Sequence, residues 1–224
     1  MSATVLILVR HGATQANVCR PHRLQGLRPD SELIEQGRKQ ARALAIVLGD
    51  WPIVQIYSSP LRRALETARL IVGRRELPIV LEEGIIEADV GEWTDLTWPE
   101  IEQRWPKEYR AFHEDPERHG YFGGENLGQV WARALPAVER LVSQHVGEML
   151  LVVSHGAVNR VLLAHWLGIP VRSARSLPQD NAALNIIEFS ERSVKVRTMN
   201  SFPDAYLAGV LARRERPAAC KHAG

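Results

Sequence analysis

Two short apolar segments of the chain share one pattern and end in the same way. Residues 5–9 and 150–153 are uninterrupted runs of valine, leucine and isoleucine, and each run is soon followed by a histidine and a glycine. Such runs are typical of strands that are buried on both faces of a parallel sheet. In these sheets, ligands bind beyond the carboxyl ends of the strands. The pattern therefore predicts that His11 and His155 lie at the same edge of a sheet.

Strand-like and helix-like segments alternate along the rest of the chain. After a polar stretch over residues 14–31, helices are predicted over residues 32–48, 59–72, 101–112, 125–145 and 158–167, and strands over residues 53–57, 78–81, 184–189 and 194–199. Ser59 is the expected cap of the second helix, and Thr97 opens the third with the spacing of a capping box. Pro106 is expected to break or kink its helix and Pro136 to kink the next. The alternation predicts a layered α/β fold.

Composition narrows the class of protein without naming a function. The 224 residues are 45% hydrophobic and 24% charged, with a net charge of +2 that gives no reason to expect nucleic acid or a membrane surface as partner. Two cysteines, Cys19 and Cys220, are too few for a disulfide framework. With no signal sequence and no apolar run of membrane-spanning length, a cytoplasmic protein is expected.

The domain organisation is expected to be simple. No internal repeat or low-complexity linker interrupts the chain, so residues 1–224 are predicted to form one domain. Residues of about 94–124 are a candidate cap-like insertion within it. A C-terminal tail is expected over about 210–224, disordered past Pro217.

The residues after the first strand have the chemistry of an anion site. Arg10 offers a planar fork that matches two phosphate oxygens, and Gly12 allows main-chain N–H groups to approach an anion. The cation beside His11 is expected to lower the pKa of the imidazole and leave a nitrogen lone pair for attack on a phosphoryl group. A single Arg-His pair at a strand end is more often a surface feature without a role, but the second histidine at position 155 favours function.

Further charged residues follow two other predicted strands. Arg62 and Arg63 fall near the start of a helix, where the helix dipole disfavours cations, which suggests an anion beyond that helix end. The acidic residues after the strand at 78–81 could supply an acid that protonates a leaving oxygen and then activates water. Their spacing does not choose among the three candidates, which are Glu87, Asp89 and Glu92.

The segment from Trp98 to Tyr121 has two interpretations. It is rich in aromatic and basic residues, and as a cap over the site it could recognise an acidic substrate through Arg104, Lys107, Arg110 or His113. Alternatively, it is an amphipathic helix that packs Trp98, Ile101 and Trp105 on the body of the protein. The sequence leaves both open.

Six ordered blocks of residues resemble the signature of the histidine phosphatase superfamily, also called the phosphoglycerate mutase-like family. The resemblance spans roughly residues 5–200. The blocks are residues 8–14 with Asn17; residues 23–26 with Leu33, Glu35, Gly37, Gln40 and Ala41, and one apparent extra residue between Gly26 and Asp30; residues 58–64 with Thr67 and Ala68; Glu87 with Gly91 and Trp93; residues 123–126; and residues 154–156.

The resemblance implies a three-layer α/β/α fold, with a mostly parallel central sheet and helices on both faces. It implies that His11 is the nucleophile and becomes phosphohistidine, and that Glu87 protonates the leaving group and then assists water. Between the two arginines of the third block it selects Arg63. The residues that it implies as ligands of the phosphoryl group or lining of its pocket are Arg10, Asn17, Gln25, Gly26, Arg63, His155 and Gly156.

The resemblance also implies a reaction class. The short segment between Trp93 and Gly123 favours a phosphatase for a small phosphorylated metabolite, with a cofactor-dependent phosphoglycerate mutase as the alternative. A non-catalytic binding member and a two-histidine metal hydrolase are disfavoured, and neither a metal nor another cofactor is expected. A homodimer is possible. Many members carry Glu-Gly after the tryptophan, where this chain has Thr94 and Asp95, so the loop beside Glu87 could run differently.

Overall fold

The computed structural model describes residues 3–73 and 75–202, so the predicted C-terminal tail and Cys220 lie outside the described residues. The central feature is a six-stranded sheet with the strand order β3-β2-β4-β1-β5-β6. Strands β1 to β4 are mutually parallel, and β5 runs antiparallel to β1 and β6. The strands are β1 (Thr4–Arg10), β2 (Ile53–Ser58), β3 (Ile79–Leu81), β4 (Met149–Ser154), β5 (Leu184–Ser190) and β6 (Ser193–Ser201).

Helices cover both faces of this sheet and form the predicted three layers. Successive residues of β1 point to opposite faces. Leu6 and Leu8 pack with α6 (Leu127–Gln144) and α7 (Gly156–Trp166), whereas Ile7 and Val9 pack with α2 (Glu35–Val47) and α3 (Arg62–Val72). Burial on both faces explains the uninterrupted apolar run of this strand. The α-helices are α1 (Gln15–Val18), α2 (Glu35–Val47), α3 (Arg62–Val72), α4 (Trp98–Arg104), α5 (Pro106–Glu114), α6 (Leu127–Gln144) and α7 (Gly156–Trp166); 3₁₀ turns occupy Glu83–Ile85, Gly91–Trp93 and Val171–Ser176.

The predicted elements are present, with local differences at their ends. The capping box at Thr97 is confirmed, and Pro106 breaks the predicted helix into α4 and α5. Pro136 lies inside α6, which continues through it. The polar stretch after β1 contains the short helix α1, which its sequence pattern did not predict.

The expected cap of α3 is wrong. The helix begins at Arg62 rather than after Ser59, and the main-chain N–H of Arg62 donates to both carboxylate oxygens of Asp30, at 2.9 and 3.0 Å. A carboxylate at this position also interacts favourably with the helix dipole. Asp30 comes from a distant loop, so the local sequence around Ser59 gave no sign of it.

The part of the chain between β3 and β4 contains a small aromatic cluster. Trp93, Ile101 and Phe112 are fully buried, and Trp98, Trp105, Tyr109 and Tyr121 pack against them. Trp98, Ile101 and Trp105 therefore pack as the amphipathic interpretation expects, while Trp98 and Tyr121 also line the main cavity, so both interpretations of this segment stay open.

Two glycines bring α2 into direct contact with the loop after β1. A Cβ atom on Gly37 would lie 2.2 Å from the carbonyl oxygen of Ala13, and one on Gly12 would lie 2.6 Å from the carbonyl oxygen of Gly37. These neighbours are main-chain atoms, so they cannot swing away as a flexible side chain would. Glycine at both positions therefore lets the loop that carries His11 pack closely on α2.

Gly37→Ala is expected to destabilise the protein. The methyl group would force the two backbones apart, at a cost of about 1–3 kcal/mol or more, which exceeds the gain of about 1 kcal/mol from alanine's higher helix propensity. Urea denaturation measures the change in the free energy of unfolding. Lys39→Ala, at an exposed position of the same helix, is the control and should stay within about 0.5 kcal/mol of the parent. Equal stabilities of the two variants would contradict the close contact.

Candidate active site

The register of two parallel strands brings the predicted histidines together. Arg10, the last residue of β1, pairs with Ser154, the last residue of β4. His11 and His155 follow these residues, and their ring centroids lie 5.2 Å apart. A cavity of about 490 Å³ opens beyond this edge of the sheet and is lined by His11. His155 is completely buried and is not among the described residues that line the cavity, so it borders the site through the ring of His11.

The His11 ring is held in one tautomer. Its Nδ1 lies 2.8 Å from the carbonyl oxygen of Gly12, and a carbonyl can only accept, so Nδ1 carries the proton and Nε2 the lone pair. Burial, followed by the positive charges of Arg63 and Arg10, holds the pKa of His11 well below its usual value. The ring is therefore neutral near pH 7 and has a nucleophilic nitrogen.

His155 is neutral for similar reasons. Its pKa is lowered by burial and then by Arg63, His11 and Arg10. Its Nε2 lies 2.7 Å from the hydroxyl of Ser59, and its buried Nδ1 has no hydrogen-bond partner within the described part of the chain. Ser59, expected as a helix cap, therefore contacts the second histidine of the site.

Two arginines of the predicted set extend into the same pocket. Arg63 is completely buried, donates to the carbonyl oxygen of Gly26 at 2.7 Å and lies 3.7 Å from Asp30. Arg10 donates to the carbonyl oxygen of Gln179 at 2.6 Å, and its Nε is buried without a partner among the described residues. Burial, and next the charge of Arg160, lowers the pKa of Arg10 to about 10, so that Arg10 remains charged near pH 7. The other candidate, Arg62, is exposed and pairs with Glu32.

Glu87 is the candidate carboxylate that lines the pocket. One of its oxygens accepts from the main-chain N–H of Gly156 at 3.1 Å, and the other accepts from those of Ala88 and Ala157 at 3.0 and 3.3 Å. Two of these donors belong to the first turn of α7, so the carboxylate lies at the positive end of a helix. The other two candidates fall elsewhere, since Asp89 bonds the N–H of Gly91 and Glu92 is exposed.

A partly buried ion pair holds the loop that carries Glu87. Arg133 donates to both carboxylate oxygens of Glu125, at 2.8 and 2.9 Å. It also donates to the carbonyl oxygens of Gly84, Ile86 and Glu87. Glu125 in turn accepts from the main-chain N–H of Asp89. Arg133 of α6, together with Glu125, therefore holds the loop on both sides of Glu87.

The remaining predicted residues also line the cavity: Asn17, Gln25, Gly26 and Gly156. The Thr14 hydroxyl lies 2.9 Å from the side-chain oxygen of Asn17 and 3.0 Å from that of Gln25, and its single proton is available to one of them at a time. Gly26 has a φ of 52°, in the left-handed region that favours glycine. Asp95 stands where many members of the family have glycine. Its φ is 59°, so its backbone adopts the left-handed conformation that glycine adopts readily.

The outer part of the cavity differs from the expectation. The wall includes Arg23, Arg160 and Arg175, whereas the four predicted cations of α4 and α5 are absent from the described lining: Arg104, Lys107, Arg110 and His113. Arg160 follows Gly156 by one turn of α7, so its position could have been inferred from helical spacing. Arg175 lies on a 3₁₀ turn far along the chain, and no sequence pattern connects it to the site.

Within residues 3–73 and 75–202, no group of three or more His, Cys, Asp or Glu side chains could hold a metal ion. No helix in the same part of the chain is long and apolar enough to cross a membrane.

Comparison with known proteins identifies the family. The sequence model of the histidine phosphatase superfamily (branch 1) matches residues 6–201. Phosphoserine phosphatase 1 of Hydrogenobacter thermophilus is 34% identical over 87% of this chain and 91% of that enzyme. Glucosyl-3-phosphoglycerate phosphatase of Mycobacterium tuberculosis is 36% identical over 76% of this chain and 78% of its own length. The crystal structure of alpha-ribazole phosphatase from Shigella flexneri superposes with a TM-score of 0.79 at 30% identity, covering 88% of this chain and 96% of that one.

The chain therefore belongs to the histidine phosphatase superfamily, branch 1. Its phosphatase relatives place it among the phosphoric monoester hydrolases of that superfamily.

The two neutral histidines are expected to make the protein acid-sensitive. Their folded-state pKa values lie below the usual 6.5, so as the pH falls below about 6.5 the unfolded chain binds protons that the folded protein excludes. Stability is therefore present above that pH and is lost as the pH falls, by up to about 1.4 kcal/mol per pH unit for each ring.

Urea denaturation at several values between about pH 7 and pH 5 measures this slope. His11→Gln removes one of the two rings and should flatten the curve, whereas His119→Gln, at an exposed position, should not. Identical slopes for His11→Gln and the parent would show that His11 is not held neutral by the fold.

Proposed function

We propose that the protein is a metal-independent phosphomonoesterase that hydrolyses a small phosphorylated metabolite through a phosphohistidine intermediate on His11. The observation that carries the proposal is the state of His11. Its Nδ1 is tied to the Gly12 carbonyl, so the lone pair is on Nε2, and the ring lies in a pocket with Arg10 and Arg63. A neutral imidazole among fixed cations is suited to attack a phosphoryl group that the cations bind.

The first chemical step forms the phosphoenzyme. Nε2 of His11 attacks phosphorus, the bond between phosphorus and the ester oxygen breaks, and the Glu87 carboxyl gives its proton to the leaving oxygen. In the second step, the Glu87 carboxylate takes a proton from water while that water attacks the phosphohistidine. The bond from nitrogen to phosphorus breaks, inorganic phosphate forms, and His11 and Glu87 return to their starting states.

The remaining residues stabilise charge on the transferring group. Arg10 and Arg63 supply buried N–H donors without partners in the described structure, which suits them to the phosphoryl oxygens. We assign Ser59 the role of fixing the tautomer of His155. In this proposal the Ser59 hydroxyl donates to Nε2 of His155, which leaves the ring proton on Nδ1 as a further donor.

Hydrolysis is favoured over phosphoryl transfer to a second hydroxyl. The three relatives described above are named as phosphatases of different phosphate esters. The segment that could shield a phosphohistidine from water is the short pair α4 and α5, of which Trp98 alone is among the described residues that line the pocket. Release of inorganic phosphate from a monoester, without added bisphosphate, distinguishes the two reactions.

His11→Ala is expected to lower phosphate release by at least about 10³-fold, because the variant lacks the nucleophile. The assay is run with EDTA present, since the proposal assigns no metal. Rapid alkaline quenching of the parent should trap acid-labile phosphate on the protein, and the variant should trap none. His119→Ala is the control for the substitution itself. Near-parental turnover by His11→Ala would refute the assignment.

Glu87→Gln is expected to affect esters unequally. Glutamine keeps one oxygen that can accept from an N–H group of α7 but cannot supply a proton, so an alkyl phosphate should lose about 10²–10⁴-fold in kcat. p-Nitrophenyl phosphate, whose leaving group needs little protonation, should lose much less. Glu92→Gln, at an exposed position outside the pocket, serves as the control. Equal losses for both esters would count against Glu87 as the acid.

A further inference from the structure

Residues 179–181 form a loop just before β5 that reaches the site. All three residues, Gln179, Asp180 and Asn181, line the cavity. The main-chain carbonyl of Gln179 accepts from Arg10, as described above. Asn181 brings a side-chain amide to the loop after β1, and no sequence pattern singled it out.

Main-chain acceptors fix the orientation of the Asn181 amide. Its Nδ2 lies 3.3 Å from the carbonyl oxygen of His11 and 3.4 Å from that of Gly12. Carbonyl oxygens only accept, so the amide nitrogen and not the amide oxygen faces them. Both contacts are long, and each carbonyl has a closer donor. The N–H of Ala182 lies 3.0 Å from the His11 oxygen, and Nδ1 of His11 lies 2.8 Å from the Gly12 oxygen. These carbonyls therefore orient Asn181 without depending on it.

The shortest contact of Asn181 is with Asn17. Nδ2 of Asn181 donates to Oδ1 of Asn17 at 3.0 Å, and the main-chain N–H of Thr14 donates to the same oxygen at 3.0 Å. Two donors identify that atom as the oxygen, so the other end of the Asn17 amide is the nitrogen. This nitrogen has no hydrogen-bond partner within residues 3–73 and 75–202, and Asn17 lines the cavity. The amide of Asn17 therefore keeps its N–H donors for a ligand.

Reciprocal hydrogen bonds hold the loop that carries Asn181. The side chains of Gln179 and Asn185 exchange two hydrogen bonds, at 2.8 and 3.0 Å, and both are almost completely buried. The main-chain N–H of Asp180 donates to the side-chain oxygen of Asn200 at 2.7 Å, and Asn200 donates back to the Asp180 carboxylate at 2.8 Å. The loop is therefore anchored to both β5 and β6, and the Asn181 side chain extends from a fixed backbone.

We propose that Asn181 is a positioning residue of the phosphatase reaction, because it holds the Asn17 amide with its N–H donors towards the phosphoryl group. The proposal rests on the phosphatase function proposed above and on Asn17 as the phosphoryl ligand that the family resemblance implies. A side-chain amide that turns about its last bond exchanges a donor for an acceptor in almost the same volume. The acceptor would repel the phosphoryl oxygens, so a second donor on Oδ1 keeps the ligand preorganised for the transition state.

A double-mutant cycle tests the proposal. Asn181→Ala is expected to lower kcat/KM for p-nitrophenyl phosphate about tenfold, the effect of one hydrogen bond to a charged group. In the Asn17→Ala background the same substitution should change kcat/KM by less than about twofold, because the amide on which Asn181 acts is absent. A role in the stability of the loop would instead lower kcat/KM by the same factor in both backgrounds. Equal factors, including no loss in either background, would overturn the proposal.

Two variants guard against other causes of a loss. Gln144→Ala truncates an exposed side-chain amide at the end of α6, outside the cavity, and should keep the parental kcat/KM. Urea denaturation shows whether Asn181→Ala is folded under the assay conditions. If it is not, Asn181→Ser takes its place in the cycle, because the serine hydroxyl lies one bond closer to the backbone and cannot reach Oδ1 of Asn17.

Phosphate binding separates a failure of the positioning role from a failure of the phosphatase function. Calorimetry with inorganic phosphate needs no turnover, so it can use the parent, both single variants and the double variant. Asn181→Ala should weaken phosphate binding at least about threefold alone and leave it unchanged when Asn17→Ala is also present. This pattern in a parent that releases phosphate from no ester would support the positioning role and refute the phosphatase function. Equal effects of Asn181→Ala in both backgrounds would refute the positioning role even if the parent releases phosphate, and a parent that neither binds nor releases phosphate would refute both.

Discussion

The parallel hydrogen bonding of β1 with β4 is the constraint on which the site depends. The pairing of Arg10 with Ser154 sets His11 and His155 side by side, although 144 positions separate them in the sequence. A shift of this register by one residue would exchange the two faces of each strand. Both faces are buried against different helices, so such a shift would disrupt two layers of core packing at once. The packing of the sheet therefore fixes the geometry of the histidines.

Buried positive charge is the second constraint, and the surrounding structure limits its cost. Unpaired buried charges are unfavourable, so fixed dipoles must orient and partly compensate them. Arg10 rests on the carbonyl of Gln179, whose side-chain oxygen accepts from Asn159 and Asn185 at 3.1 and 3.0 Å. Asn185 also donates to the carbonyl of Leu8 in β1. A network of buried amides thus ties the guanidinium group of Arg10 to β1, the strand that Arg10 itself ends.

The sequence predicted the parts of the molecule that depend on local patterns. The alternation of strand-like and helix-like segments predicted the layers. The two histidines could be placed at one edge of the sheet because each follows an apolar run and precedes a glycine, which marks the end of a strand. The capping box at Thr97 and the break at Pro106 were also predictable, since both act within one helical turn. Of the three acidic candidates, only the family resemblance pointed to Glu87.

Contacts between distant segments could not be predicted. The N-terminus of α3 is capped by Asp30, which lies 32 positions before Arg62 in the sequence. Helix-capping preferences consider only neighbouring residues, so they pointed to Ser59 instead. The cations of α4 and α5 were plausible substrate ligands because an amphipathic helix does not reveal which face meets the pocket. The outer wall is formed instead by Arg160 and Arg175, from helix α7 and the following 3₁₀ turn.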